Sequence, residues 1–422
     1  MIRQKLLSLG LLAGLTYGLG CSAASAWTKT FVIDWLEPAM YYGGPEPGDA
    51  APGTDCPAGP TPENNWHEML KTKWRTQEDV DRINNPENPT RIIVGGLRTP
   101  HPQKMIYDWP WLLPDPGLQM VTGPHAYGFD LDNDPDTGFE IGMNGDDTGV
   151  DNEYYRAIGC VMAWRGSTKI GHHAKYVMDG MRDGRFTVLL ALSGEGDDWR
   201  NDPDVKMAFM MGQDPVIKDA NGEIAEDFTF RVQPHPENQS VFPVKIKDGI
   251  ITQQDGAPLE FTFRGVDGPV TLHQSKMRFE IGENGHLHGF AGGYQDVDIA
   301  YHELARGGAT YELTMRMNTQ SVWYALLRHA DGLWDEARNR YTGISKAYRF
   351  YGTPAIIVDP DSTAPISEAK LFDGPAPKEG RRFGGNRTGV ELIYPSSEET
   401  EAQSAAVPNF KRDQITEHAA LD

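Results

Sequence analysis

The chain has 422 residues, and its 60 Asp and Glu residues outnumber its 39 Lys and Arg residues, which gives a formal net charge of -21 at pH 7. Such a charge repels nucleic acid and anionic membranes, so neither is expected as a partner. The length is sufficient to bury a core without metal ions or disulfide bonds, and the 46 Gly and 30 Pro residues are typical of a loop-rich protein that leans towards β structure.

The N-terminus has the composition of a secretory signal peptide. Arg3 and Lys5 precede an apolar run over residues 6–19, and small residues end at Ala26. We therefore predict a secreted or periplasmic protein, cleaved after Ala26. The apolar run is too short to span a bilayer, so no membrane insertion is expected. Lipidation of Cys21 is an alternative, although the residues before it match poorly with the signal that such a modification uses.

Residues 27–118 form an N-terminal segment rich in Gly, Pro and Asp, interrupted by a short helix that we predict over residues 63–84. Cys56 lies in this segment and Cys160 lies in an apolar run further along the chain. In an oxidising compartment an even pair of cysteines is expected to be bonded, which predicts a Cys56–Cys160 disulfide. Two separate buried thiols are the alternative.

An acidic loop follows at residues 130–152, where eight carboxylates occur without any Lys or Arg nearby in the sequence. Carboxylates at alternate positions of a tight loop can point at one hard cation, and Ca²⁺ takes six to eight oxygen ligands. The spacing departs from an EF-hand because Pro135 stands where Gly is needed and Ile141 stands where Glu is needed. A solvated acidic turn is the alternative. The predicted calcium ligands are Asp130, Asp132, Asp134, Asp136, Glu140, Asp146, Asp147, Asp151 and Asn152.

Strands are predicted to dominate from about residue 120 to 318, where alternating apolar residues indicate half-buried strands. This period-2 pattern occurs over 205–211, 228–232, 261–263 and 311–317, and a continuous apolar run covers 186–192. Because turn dipeptides rather than long helices separate these segments, we predict a mainly β fold, an antiparallel β-sandwich of jelly-roll or lectin-like type with a few short helices. Two helices interrupt the strands, one capped by Asp296 and one by Ser321.

A short repeat relates residues 139–145 to residues 279–285, which agree at six of seven positions. Each copy predicts a strand that enters an Asn-Gly hairpin turn, and the repeat suggests two related modules unless the agreement is coincidental. In the second copy, His286 and His288 would lie on the same side of a strand, a geometry that suits Zn²⁺ or Cu²⁺. Surface histidines beside a turn are the alternative.

The composition predicts five segments. The last is a disordered acidic tail poor in large apolar residues. In chain order the segments are the signal peptide (1–26), the loop-rich segment (27–118), a sandwich module with the calcium loop (119–238), a second β-rich module with two helices (239–369) and the tail (370–422).

No standard catalytic signature occurs in the sequence. We therefore expect a non-enzymatic calcium-dependent binding or surface protein, with a glycan or another cell-surface component as its partner, because ten Trp and sixteen Tyr offer stacking faces for sugars. An extracellular polysaccharide hydrolase or lyase is the first alternative, since its two carboxylates would come from distant strands. A transition-metal protein centred on His286 and His288 is the second.

Overall fold

The structure is a computed structural model. It describes residues 26–41, 55–62, 87, 110, 115, 117–144, 146, 148–161, 164, 178–234, 239–254, 259–265, 268–305, 315 and 318–359. The predicted helix over 63–84, the tail over 370–422 and the signal peptide up to residue 25 therefore lie outside the described residues. So does the predicted strand over 311–317 except for Met315, which is buried and has a helical backbone.

Thirteen strands and three helices have their bounds within the described residues, and residues 178–182 are also helical. The strands are β1 (Trp27–Pro38), β2 (His125–Ala126), β3 (Ile141–Gly142), β4 (Val188–Gly194), β5 (Asp202–Met211), β6 (Phe228–Arg231), β7 (Ser240–Lys247), β8 (Ile250–Gln253), β9 (Leu259–Gly265), β10 (Gly268–Ile281), β11 (Leu287–Asp296), β12 (Gly332–Asp335) and β13 (Arg340–Val358). The helices are α1 (Glu153–Ile158), α2 (Val297–Ala305) and α3 (Thr319–Arg328).

Eight antiparallel strands form a closed barrel in the order β1, β4, β5, β7, β8, β10, β11 and β13, and β13 pairs with β1 to complete the circle. The remaining strands are additions: β12 pairs with the start of β13, β9 pairs with the first half of β10, β6 runs parallel to β13, and β2 with β3 forms a separate small sheet. The predicted mainly β class is thus correct.

The predicted β-sandwich of jelly-roll or lectin-like type is wrong, because one sheet closes on itself and two sheets do not face each other. Alternation reports only that one face of a strand is buried, and barrels and sandwiches share that property. A single barrel also draws its strands from residues 27–38 and from both of the predicted modules.

The two strands that close the barrel, β1 and β13, were both absent from the sequence prediction. Each has stretches buried on both faces, so neither shows a clear alternation. In β13 the buried set includes Lys346 and Arg349, whose charges interrupt the apolar pattern. Arg349 forms an ion pair with the buried Glu37 of β1, and Lys346 donates a hydrogen bond to Gln295 of β11 (2.9 Å). A strand that buries charged residues in such pairs cannot be recognised from the hydropathy of its sequence.

The inside of the barrel is filled by apolar side chains. Phe209 of β5 contacts five other phenylalanines, with ring centroids 5.3 to 6.5 Å apart. Eight strands leave an interior that side chains can just fill, so this core is packed rather than hollow. A ligand is therefore expected to bind outside the barrel interior. The contacting rings are those of Phe242, Phe261, Phe263, Phe279 and Phe350.

A second core lies outside the barrel, where the helices and the segments around residues 117–161 cover β11 and β13. The Cys56–Cys160 disulfide lies in this layer, with Cα atoms 5.9 Å apart, so the predicted pairing is confirmed. The α2 helix begins after Asp296, whose Oδ1 accepts the N–H groups of Asp298 and Ile299, as the capping pattern predicts. Helix α3 instead begins after Asn318, before the predicted Ser321.

The repeated segments take different forms in the two places. Residues 279–285 end β10 and turn into β11, with Gly285 at φ +83° and its N–H bonded to the carbonyl of Gly282. Residues 139–142 instead pair partly with Val150 and partly, in parallel, with β2. The hairpin prediction is confirmed only for the second copy. Within the described residues, no helix is long and apolar enough to cross a membrane.

Candidate functional site

The acidic loop brings three of the predicted calcium ligands together. The carboxylates of Asp130, Asp132 and Asp151 each offer one oxygen, and these oxygens lie within 4.8 Å of one another. Asp151 is buried and pairs through its backbone with Phe129, which is why distant positions of the loop meet. Three carboxylates at this separation repel one another when charged, so a cation between them would lower their electrostatic energy.

Two glycines allow the arms of this loop to approach each other. Gly138 has φ +70°, and a Cβ there would lie 2.5 Å from the carbonyl oxygen of Val150. Gly149 has φ +68°, and a Cβ there would lie 2.7 Å from the Cα of Pro135. A side chain at either position would clash with backbone atoms and force the arms apart. The convergence of the three carboxylates therefore depends on these two residues.

Two cations contact the acidic loop. Lys276 of β10 donates a hydrogen bond to the carbonyl of Asp130 and another to Oδ1 of Asn133 (3.1 Å). Arg156 of α1 donates to the carbonyl of Gly138 (3.1 Å). The loop is therefore contacted by one cation from a distant strand, Lys276, and by one from the helix that follows the loop, Arg156.

The other predicted calcium ligands serve different roles. Asp146 accepts the N–H of Asp130 (2.9 Å), and Asp134, Asp136 and Glu140 are exposed. The side chain of Asn152 caps α1 by accepting the N–H of Tyr155. It also donates to two backbone carbonyls, so its polar atoms are used within the fold. Asp147 lies outside the described residues.

The two predicted histidine ligands contact different carboxylates. Nε2 of His286 lies 3.0 Å from Glu226, and Nε2 of His288 lies 3.7 Å from Glu280. His286 is the last residue of the turn, because β11 begins at Leu287. The transition-metal hypothesis for this pair stays a prediction, with each imidazole facing its own acidic partner.

A pocket of about 270 Å³ opens beside the strands that close the barrel. Along β1 the pairing with β13 shifts between Ile33 and Trp35, so Asp34 is an extra residue in a β-bulge. A bulge redirects side chains and is often found next to functional sites. The pocket is lined by Asp34, Trp35, Arg182, Glu223, His286, Leu287, Tyr351 and Gly352.

The carboxyl group of Asp34 is only half satisfied. Its Oδ2 accepts a hydrogen bond from Thr353 (3.0 Å), whereas Oδ1 is buried and has no hydrogen-bond partner among the described residues. Burial raises the pKa of Asp34, and the Thr353 hydrogen bond and the charge of Arg182 offset only part of that effect. Asp34 is thus a carboxyl group whose neutral form the fold favours.

Aromatic groups adjoin this carboxyl group. The indole Nε1 of Trp35 is also buried without a hydrogen-bond partner in the described part of the chain. Its ring meets that of Tyr351 edge-on, with centroids 6.4 Å apart, and Tyr351 is partly exposed. The pocket therefore combines an unused acceptor, an unused donor and two aromatic rings.

Ion pairs form the rim of the pocket. Arg182 pairs with Glu223, and the His286 ring contacts Glu226. Each cationic or basic group at the rim thus has a carboxylate of its own. The rim offers hydrogen-bonding groups without a strong excess of either charge.

The sequence analysis missed this pocket. The signal that could have indicated it is Asp34 within the run Phe31 to Leu36, since a carboxyl group is rarely placed among buried apolar residues without a purpose. The other lining residues come from separate parts of the chain, and only the closure of the barrel brings them together. Comparison with known proteins gives no assistance: no protein-family model, no curated protein and no solved structure matches this chain.

Proposed function

We propose that this protein is an exported, non-enzymatic carbohydrate-binding protein whose ligand occupies the pocket beside Asp34. The observation that carries the proposal concerns two buried polar atoms, Oδ1 of Asp34 and Nε1 of Trp35, which have no hydrogen-bond partner among the described residues. Both residues line the same pocket. Leaving such groups unpaired costs free energy, which a ligand that bonds both would recover.

A sugar hydroxyl matches this pair of groups. A hydroxyl both donates and accepts hydrogen bonds, so the several hydroxyls of a sugar can donate to the carboxyl oxygen of Asp34 and accept from the indole N–H of Trp35. The rings of Trp35 and Tyr351 offer apolar surface to the C–H faces of a sugar ring. The paired charges of Arg182 and Glu223 favour a neutral sugar over a strongly charged ligand.

Calcium enters the proposal as a structural ion at Asp130, Asp132 and Asp151. The support is the convergence of three carboxylates, one of them buried, from two arms of the loop. Lys276 and Arg156 donate hydrogen bonds to carbonyl and amide oxygens at the edges of the loop rather than to the triad, whose carboxylates accept N–H groups of the loop itself. Export is supported by the signal-like N-terminus and is consistent with the disulfide bond.

A polysaccharide hydrolase or lyase is the alternative function that the same pocket favours. Burial raises the pKa of Asp34, which is the direction of shift that a general acid needs, and Glu223 offers a second carboxylate on the pocket wall. The ion pair between Glu223 and Arg182 argues against this role, because a base or nucleophile held by a cation is weakened.

A glycan array tests the proposal, with Trp35→Phe as the variant and Trp334→Phe as the matched control. Trp334 is an exposed tryptophan on β12, away from the pocket. We expect glycans of one class to bind the wild type and the control, and to bind Trp35→Phe at least about ten-fold more weakly, because the phenyl ring lacks the N–H donor. Equal binding by all three proteins would contradict the proposal.

Incubation with any polysaccharide that binds separates the two functions. Release of reducing ends or unsaturated products, lost in Asp34→Asn, would establish the enzyme and overturn the non-enzymatic proposal. Binding without products would support it.

A further inference from the structure

A row of aromatic and polar side chains leads away from the pocket across the outside of the barrel. Trp35 of β1 and Tyr351 of β13 are opposite each other in the strand pairing, and both line the pocket. On its other side Tyr351 is opposite His288 of β11, and His288 is in turn opposite Glu280 of β10. Because opposite residues of a sheet project from the same face, these four side chains form one row across four neighbouring strands.

The row lies on the face of the sheet that points away from the barrel interior. Side chains alternate along a strand, and the adjacent residues Phe350 and Leu287 are buried in the barrel core. Tyr351, His288 and Glu280 point the opposite way and are exposed to solvent. A ligand that enters the pocket can therefore also contact these three side chains.

Other parts of the fold border the row on both sides. On one side the next outward-facing residues are Arg349 and Phe290, and the ring of Tyr127 stacks on that of Phe290 with centroids 5.3 Å apart. On the other side, the carboxylate of Glu226 lies 3.0 Å from Nε2 of His286. The row is thus an open path between two covered edges, and it begins at the pocket.

The chemistry of the row suits hydroxyl groups. Nε2 of His288 lies 3.7 Å from the carboxylate of Glu280, which is longer than a hydrogen bond, so this contact does not occupy the polar atoms of either side chain. Imidazole and carboxylate groups can together accept and donate the hydrogen bonds that sugar hydroxyls form. The ring of Tyr351 adds an apolar face for the C–H groups of a sugar.

The spacing of the strands matches the repeat of a glycan chain. Neighbouring strands lie about 4.8 Å apart, and one pyranose ring advances a linear glycan by a similar distance. The three steps from β1 through β13 and β11 to β10 therefore cover about 14 Å, or roughly three sugar rings.

We propose that this row extends the pocket into a site for a linear, neutral oligosaccharide of about three sugars, which lies across the strands with one sugar in the pocket. The inference rests on the carbohydrate-binding proposal and adds the size and the direction of the ligand.

Calorimetry with oligosaccharides of different lengths, from a single sugar upward, tests the row. They belong to the glycan class that the array selects. The variant is His288→Ala, and His273→Ala is the matched control, because His273 is another partly exposed histidine beside a carboxylate, with Nδ1 3.5 Å from Glu260, but lies outside the row. The wild type should bind longer chains more tightly up to about three sugars and gain nothing beyond that length.

We expect His288→Ala to bind the single sugar as the wild type does, and to bind the three-sugar chain about five-fold more weakly, because it lacks one hydrogen bond to the ligand. His273→Ala should bind both as the wild type does. Equal affinity of the wild type for one sugar and for three, or unchanged binding of the three-sugar chain by His288→Ala, would overturn the inference and leave the pocket proposal standing. If no length binds, the pocket proposal itself fails, and this inference fails with it.

Discussion

The hydroxyl of Thr353 on β13 donates a hydrogen bond of 3.0 Å to Oδ2 of Asp34 on β1. This bond joins the two strands whose pairing closes the barrel. It also holds the carboxyl group so that the other oxygen, Oδ1, stays buried at the pocket without a partner among the described residues. Barrel closure and the candidate ligand site therefore share one carboxyl group.

The substitution Asp34→Asn should stabilise the ligand-free protein increasingly as the pH rises. Burial raises the pKa of Asp34 in the folded state, so from about pH 4 upward the unfolded chain loses this proton first. Wild type then loses stability relative to Asp34→Asn until the pH passes the folded pKa. Asparagine keeps an oxygen that can accept the Thr353 hydrogen bond.

Melting temperatures of the two proteins between pH 3.5 and pH 7 check this prediction. We expect no difference at the acidic end and an advantage of a few °C for Asp34→Asn at pH 7, using the relation of about 2 to 4 °C per kcal/mol. A difference that is constant or shrinks with pH would show that Asp34 has no raised pKa.

The substitution Glu153→Gln should have the opposite pH dependence. The pKa of Glu153 is lowered to about 2 in the folded protein, so its charge stabilises the fold above the unfolded pKa and loses that effect as the pH falls towards 2. Removal of this buried partner of Arg156 and His329 should cost about 3 kcal/mol at pH 7.

Urea unfolding at pH 7 and at pH 3 measures the cost. The loss caused by Glu153→Gln should be largest at pH 7 and smaller at pH 3. An equal loss at both pH values would assign the effect to packing rather than to charge.

Removing two carboxylates of the acidic triad should abolish stabilisation by calcium. We expect Ca²⁺ at 100 times its dissociation constant to stabilise the wild type by about 2.7 kcal/mol, and Mg²⁺ to do much less. Asp130→Asn with Asp132→Asn should not respond to Ca²⁺. Asp134→Asn with Asp136→Asn removes the same charge from the same loop outside the triad.

Thermal melts in EDTA and in millimolar Ca²⁺ compare the three proteins. The control should respond to Ca²⁺ as the wild type does. If the wild type melts at the same temperature with and without Ca²⁺, the loop is a solvated acidic turn and the calcium proposal fails.

Reduction of the Cys56–Cys160 disulfide should destabilise the outer layer. The bond closes a loop with a sequence separation of 104, for which chain entropy gives about 4.7 kcal/mol. Melting of Cys56→Ala with Cys160→Ala should occur at a clearly lower temperature than melting of the oxidised wild type. Equal melting temperatures for the two proteins would mean that the disulfide does not constrain the unfolded chain.

Local patterns in the sequence predict the local structure of this protein well. The alternation over residues 205–211 corresponds to β5, and Asp296 caps α2 as predicted. The pairing of Cys56 with Cys160 also follows from the sequence, since these are the two cysteines that remain under the predicted cleavage after Ala26. The strand and the helix cap depend on interactions between residues a few positions apart. For the disulfide, the number of possible cysteine pairings is small.

The closure of the sheet into a barrel could not be predicted from local sequence patterns. Whether the edges of a sheet meet depends on β1 pairing with β13, more than three hundred residues later, and no local pattern reports that pairing. The pocket was missed for the same reason: Asp34 and Tyr351 lie side by side only because those strands pair. Lys276 reaches Asn133 of the acidic loop across a separation of 143 residues, which no local pattern reports either.

The most direct test of the carbohydrate-binding account follows the indole N–H signals of the ten tryptophans by NMR during titration with a glycan that the array selects. Trp35→Phe assigns the Trp35 signal. The account predicts that this signal moves in proportion to binding, that the signal of Trp334 stays in place, and that Asp34→Asn removes the shift. Binding that moves other tryptophan signals but leaves that of Trp35 unchanged would contradict the account.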